Sequence, residues 1–227
     1  GIRGQKSSLR SKCQTYSLIT AYLFEDSQKQ RFKLSDAEVI ADYFALRENL
    51  ACLYHAAAMA EILKRSPLEN GEPWAFSLYL LALEALSASR QAADIPQVSL
   101  QFLWRYLGYT GYQPDPSRCQ ATGTMLESDE AVRYRASLGG FVALQAETSR
   151  NMRDNAGHPD QENDPRIPAG ALAYLRHSAR LEFAAACRVG LSPEASNSLL
   201  RLFFRLIEDL LGSRLTSLQG QEFLFFS

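Results

Sequence analysis

The chain has 227 residues, 46% of them apolar, with 24 Lys or Arg against 25 Asp or Glu for a formal charge of −1. That excludes a disordered chain and leaves enough length to bury roughly 70% of the unfolded surface. No apolar run approaches the ~20 residues of a membrane span, and the features of a signal peptide are missing, so the expectation is a cytoplasmic protein without a membrane partner.

The charge is unevenly spread. Residues 1–33 carry seven Lys or Arg (Arg3, Lys6, Arg10, Lys12, Lys29, Arg31 and Lys33) against Glu25 and Asp26, a balance of +5, and the remainder stands at −6. A basic head on an acidic body points to a polyanion at one end, with phosphate as the obvious candidate because neutralising it releases counterions. The alternative is a solvated strand edge, where lysine guards against edge pairing.

The head, Gly1 to Lys12, holds four cations, two glycines and three serines and runs into an apolar strand, Tyr16 to Glu25. Tyr16, Leu18, Tyr22 and Phe24 fall on one parity, as a half-buried strand requires. A polar turn leads to a second short strand, Arg31 to Leu34. Ser35-Asp36-Ala37-Glu38 reads as a capping box opening a long helix to about Arg65. The segment Pro67 to Pro73 breaks it. A helix from Trp74 to about Ser89 is apolar on nearly all sides and is expected to be the buried centre of a bundle.

A third helix spans Val98 to Leu107. Residues 109–167, with four prolines and five glycines, read as an irregular subdomain with short strands near Val132 to Tyr134 and Gly140 to Leu144. One helix then runs from Pro168 to about Cys187. Another, capped by Ser192 with Pro193 inside it, stops near Gly212. The apolar tail Glu222 to Phe226 is expected to pack on the chain itself.

Chemistry-bearing motifs are lacking: no GxSxG, Walker loop, HExxH or dinucleotide fingerprint. Cys13, Cys52, Cys119 and Cys187 are scattered and read as reduced, mostly buried thiols. His55, His158 and His177 read as structural or exposed. Glu84, inside an apolar helix, reads as exposed or arginine-paired. No catalytic residues, metal or cofactor are expected, and a hydrolase built on Cys119 and His158 is the weakest of the readings.

Several motifs, in order, resemble the RecO family of recombination mediators. They are Gly1-Ile2-Arg3, Lys6-Ser7-Ser8-Leu9-Arg10, Gln14-Thr15-Tyr16-Ser17, Leu107-Gly108-Tyr109, Cys119-Gln120-Ala121-Thr122-Gly123, Val132-Arg133-Tyr134-Arg135, Gly139-Gly140-Phe141-Val142-Ala143 and Gly212-Ser213-Arg214-Leu215-Thr216-Ser217. The resemblance implies a mainly α fold: a partial antiparallel OB-fold at 1–34, lacking its opening barrel strands, and a helical bundle-like domain at 35–227. Many members bind zinc through CxxC pairs in the irregular subdomain. Here only Cys119 stands, with Thr122, Ala143 and Ala146 at the other positions, so a zinc-free member is implied.

The resemblance also implies binding and annealing of single- and double-stranded DNA, partnership with RecR, capture of the single-strand-binding protein's C-terminal tail, and help in loading RecA, in a bacterial cytoplasm close to the nucleoid. OB-folds combine cations with stacking aromatics, which makes Arg3, Lys6, Arg10, Lys12, Tyr16, Lys29, Arg31 and Lys33 the candidate DNA contacts, with Tyr22 beside them. Leu100, Leu103 and Leu107 with Arg105, on the third helix, are the candidate slot for an acidic tail; core packing is the other duty open to those leucines. The competing functional reading is a helical adaptor that binds an acidic peptide and no DNA.

Overall fold

The computed structural model describes residues 9–67, 72–144, 164–220 and 222–226. A short helix α1 (Leu9–Lys12) leads into a hairpin of β1 (Ser17–Asp26) and β2 (Arg31–Asp42). β2 is three times the length expected from sequence, and it overturns the capping box. Ser35 is the extra residue where the register slips between Tyr22 and Leu23, and its hydroxyl donates to the Tyr22 carbonyl at 2.8 Å. Val39 and Ile40, placed on a helix by their spacing, continue the strand because β1 supplies a pairing partner and β-branched side chains suit a pleated surface.

The helix starts later. After α2 (Phe44–Glu48), α3 (Leu50–Arg65) is capped by Asn49, whose side chain accepts the Cys52 N–H at 3.2 Å. This is ordinary N-cap chemistry. Arg47 on α2 fixes the hairpin to the body, because its guanidinium donates to the Thr15 carbonyl and to the Asp42 carboxylate, at the two ends of the hairpin base.

α4 (Pro73–Ala88) and α5 (Asp94–Tyr109) follow, and they exchange the roles expected of them. α4 buries one face through Ala75, Leu78, Ala82, Leu83 and Leu86, while Phe76 and Leu81 stay exposed; Glu84 is exposed, as expected. α5 is the centre. It packs against α3, α4 and the last long helix and buries ten of its residues, including Trp104 and Phe102. Its polar positions disguised it, yet two of them find partners inside: Gln101 Nε2 donates to the Tyr174 hydroxyl at 2.6 Å, and Ser99 pairs with His55, while Gln101 Oε1 stays buried without a partner. Buried polar groups persist where partners exist.

The irregular segment forms a three-stranded antiparallel sheet in the order β4-β3-β5, from β3 (Val132–Arg135), β4 (Gly140–Ala143) and β5 (Arg166–Ile167). Gly140 is required there, because a Cβ would sit 2.3 Å from Gln120 Cγ. The single helix expected after Pro168 is two, α6 (Ala171–Ser178) and α7 (Phe183–Ala186). At the break the Leu181 carbonyl accepts Arg105 Nη2 at 2.6 Å, a bond a continuous helix would not leave open.

α8 (Pro193–Leu211) runs as expected: the Ser192 side chain accepts the Ala195 N–H, and Gly212 closes it in the left-handed region at φ 69°. The tail turn α9 (Glu222–Phe225) docks on α3, with Phe225 fully buried against His55 and Phe204. No described helix is long and apolar enough to cross a membrane.

Candidate nucleic-acid interface

Directly opposed residues of an antiparallel pair share a face. One face of the hairpin therefore sets Phe24 opposite Lys33 and Asp26 opposite Arg31 near the tip, and Tyr22 opposite Asp36 nearer the body. Tyr22 is 50% exposed and Phe24 61%. α1 lies against β2 on this side, since Lys12 Nζ meets the Asp36 carboxylate at 2.8 Å. The result is cations interleaved with exposed rings, in reach of one another.

The sequence candidates divide accordingly. Arg10, Lys12, Lys29, Arg31 and Lys33 are brought to the hairpin and its flanking helix. Arg3 and Lys6 lie outside the described residues. Tyr16 goes elsewhere: it sits at φ 63°, is half-buried against the helical core, and has its hydroxyl pushed above the ordinary tyrosine value by burial. Tyr22 and Phe24 are the exposed rings in its place. Phe24 was missed because strand parity alone assigned it to a buried face, whereas no third strand covers that face among the described residues.

The hairpin is not purely basic. Residues 9–42 hold five cations and five acids, and two cations are already engaged, Lys12 with Asp36 and Lys33 with Asp26 at 3.3 Å. The Lys12 ammonium and then the Ala37 N–H hold the Asp36 carboxyl below the usual carboxylate range. Such exposed pairs are weak because water screens them, so a phosphate can displace the carboxylate.

The leucine slot is corrected outright. Leu100, Leu103 and Leu107 are fully buried, because α5 is surrounded, and none of them can meet a partner. Arg105 is occupied with the Leu181 carbonyl and the Phe183 ring, 5.5 Å from its guanidinium carbon. A cavity of about 270 Å³ lies instead between α8 and the tail, walled by Arg201, Arg205 and Arg214 with Phe204, Leu218 and Phe226, and by the acid Glu208, whose carboxylate accepts the Leu215 N–H at 2.7 Å. Arg201 stands 4.2 Å over the Phe226 ring. Its sequence signal was the i, i+4 spacing of Arg201 and Arg205 on an apolar helix.

The position where the resemblance implies zinc in other members does not fit the metal. Cys119 is fully buried, with Thr122 and Ala143 as neighbours; Ala146 is outside the described residues. Burial would raise the thiol, but donors to its sulfur (the Thr122 hydroxyl and the N–H groups of Ala143, Ala121 and Thr122) outweigh it and bring it below the ordinary cysteine value. Protein donors thus occupy the sulfur where a tetrahedral site would need three further ligands. Among the described residues no group of three His, Cys, Asp or Glu could hold a metal ion.

Comparison with known proteins bears on the helical body. Residues 47–219 match the family model described as "Recombination protein O C terminal". The DNA repair protein RecO of Heliobacterium modesticaldum (strain ATCC 51547 / Ice1) is 27% identical over 185 residues, which cover 80% of this chain and 62% of that protein. The chain thus spans less than two thirds of the length of the relative it matches. With most of its helical body inside the family model, this chain belongs to the RecO family of recombination proteins.

Proposed function

We propose that the chain is a non-enzymatic DNA repair and recombination mediator that binds single- and double-stranded DNA through the α1–hairpin face and anneals complementary strands. The observation that carries this reading is the hairpin itself: exposed Tyr22 and Phe24 beside Arg31, Lys33 and Lys12 on one face. Rings stack on bases at about 1–3 kcal/mol each, and the cations track the backbone. Annealing asks only that two polyanions be neutralised on one surface, so no bond is made or broken.

Together with RecR the chain would help load RecA onto DNA coated with single-strand-binding protein. The acidic, apolar-ended tail of that protein suits the cavity of Arg201, Arg205 and Arg214, where an apolar ring can sit against the partly exposed Phe226 while carboxylates meet guanidinium groups. The test is annealing of dye-labelled complementary oligonucleotides. Annealing is expected at low salt and to fall at high salt. It is expected to fall with Tyr22→Ser and Phe24→Ser together and to persist in Cys119→Ala. No acceleration over protein-free strands would refute the reading.

A further inference from the structure

A second surface, formed where the start of α4 meets the end of α5, carries a different chemistry. Trp74 at the start of α4 stacks on Tyr109 at the end of α5, with centroids 4.7 Å apart and an 18° tilt. Tyr106 forms the floor and Tyr112 the far rim of a cavity of about 510 Å³. Tyr109 and Tyr112 are 57% and 61% exposed. Large rings left open beside a formed cavity are a recognition feature more than a packing one.

The polar groups of this box are internally used. The Tyr106 hydroxyl donates to Ser66 Oγ, which donates in turn to the Ile62 carbonyl, and Thr110 Oγ1 donates to the Tyr106 carbonyl. Glu72 is the one charged side chain in the wall, and among the described residues its carboxylate has no ion-pair partner. The next cavity, across a ridge of Tyr112 and Leu210, is lined by Tyr134 and Asp209, again without a Lys or Arg in its wall. An acid beside open aromatic faces repels phosphate and attracts a cation.

We infer that the Trp74–Tyr109–Tyr112 box binds an arginine side chain presented by an extended basic segment of a protein partner. The guanidinium adds one more plane to the Trp74–Tyr109 stack and donates to the Glu72 carboxylate; its flat, always-charged fork suits both contacts where the lysine ammonium suits only the charge. The neighbouring cavity takes the next residue of the segment. This surface is separate from the DNA face and from the arginine-lined cavity, so it stands or falls independently of the proposed function.

The probe is a twelve-residue Gly/Ser peptide with two arginines, compared with peptides carrying lysine or neutral citrulline at those positions. Trp74 reports binding by fluorescence, and Trp104, buried against Phe203, supplies a constant background. Saturable binding of the arginine peptide is expected, weakened about tenfold by citrulline or by Glu72→Gln. Tyr109→Ser, at an exposed position, is expected to abolish it. In Trp74→Phe the signal is lost while binding, read by a dye on the peptide, survives. Equal affinity for arginine and citrulline peptides, or no response to Glu72→Gln, overturns the inference. So does tighter binding of oligothymidylate at this box with Glu72→Gln, which would make it a base-stacking platform.

Discussion

His55 makes acid stability a quantitative matter. The ring is fully buried on α3 and held from both sides: its Nε2–H donates to the Leu224 carbonyl at 3.0 Å, and the Ser99 hydroxyl donates to Nδ1. That arrangement satisfies one neutral tautomer. Burial pushes the ring from 6.5 down to about 4, against a smaller upward pull from the Leu224 carbonyl. The unfolded chain therefore takes up a proton near pH 6.5 that the folded chain refuses until about pH 4. Unfolding consumes that proton, so stability is full above pH 6.5 and is lost progressively as pH falls toward 4. The shift corresponds to about 3 kcal/mol, or roughly 6–12 °C in melting temperature for a chain of this size. Calorimetric melts between pH 7.5 and 4.5 on the wild type and on His55→Asn would measure it. The variant is expected to melt lower at pH 7.5 but to lose far less on acidification. Parallel pH curves for the two proteins would refute the reasoning, as would an NMR titration placing His55 near 6.5.

Two further outcomes follow from the packing. Leu103→Ala, at a fully buried position of the central helix, is expected to cost about 2–5 kcal/mol in chemical denaturation and to leave affinity for an acidic C-terminal peptide unchanged, whereas Arg201→Ala with Arg214→Ala reduces that affinity without a comparable loss of stability. Glu61 ties the segment after α8 to α3, accepting the Thr216 and Ser217 N–H groups at 2.8 Å each and Arg65 at 2.9 Å. Partial burial would raise its carboxyl, but those donors win and bring it to about 2. Its contribution is thus present above pH 4.5 and lost as pH falls toward 2, a window below that of His55. Glu61→Gln is expected to remove that lower phase and to cost about 1–3 kcal/mol at neutral pH, read by urea titration.

The helical body was legible where local chemistry decided it. Ser192, Pro193 and Gly212 bracket α8 with side-chain and backbone signals that need no distant partner. What escaped depended on partners far along the chain. The stretch from Ser35 to Asp42 carries both a capping pattern and β-branched residues, and only β1 selects the strand. α4 looked central because it is apolar all round; α5 is central because α3, α4 and α8 pack around it, with His55 and Tyr174 taking up its Ser99 hydroxyl and Gln101 amide nitrogen. The same point decides the sites. The basic residues of the hairpin were visible as a charge run, but their counter-acids became relevant only in the fold, Asp26 through strand pairing and Asp36 through the contact of α1 with β2. Leu100, Leu103 and Leu107 are apolar, as a partner slot needs, but they are fully buried, a property no spacing reveals.

The proposed grip on sugar-phosphate chains rests on the cations of the hairpin ribbon. Its most direct test is the salt dependence of single-stranded oligonucleotide affinity in the wild type and in the triple variant Lys29→Ala, Arg31→Ala, Lys33→Ala. Each neutralised phosphate contributes about 0.7 to the log–log slope for single strands, so removing three contacts is expected to flatten the slope by about 2 while leaving the melting temperature within a few degrees. An unchanged slope and affinity in that variant would contradict the account.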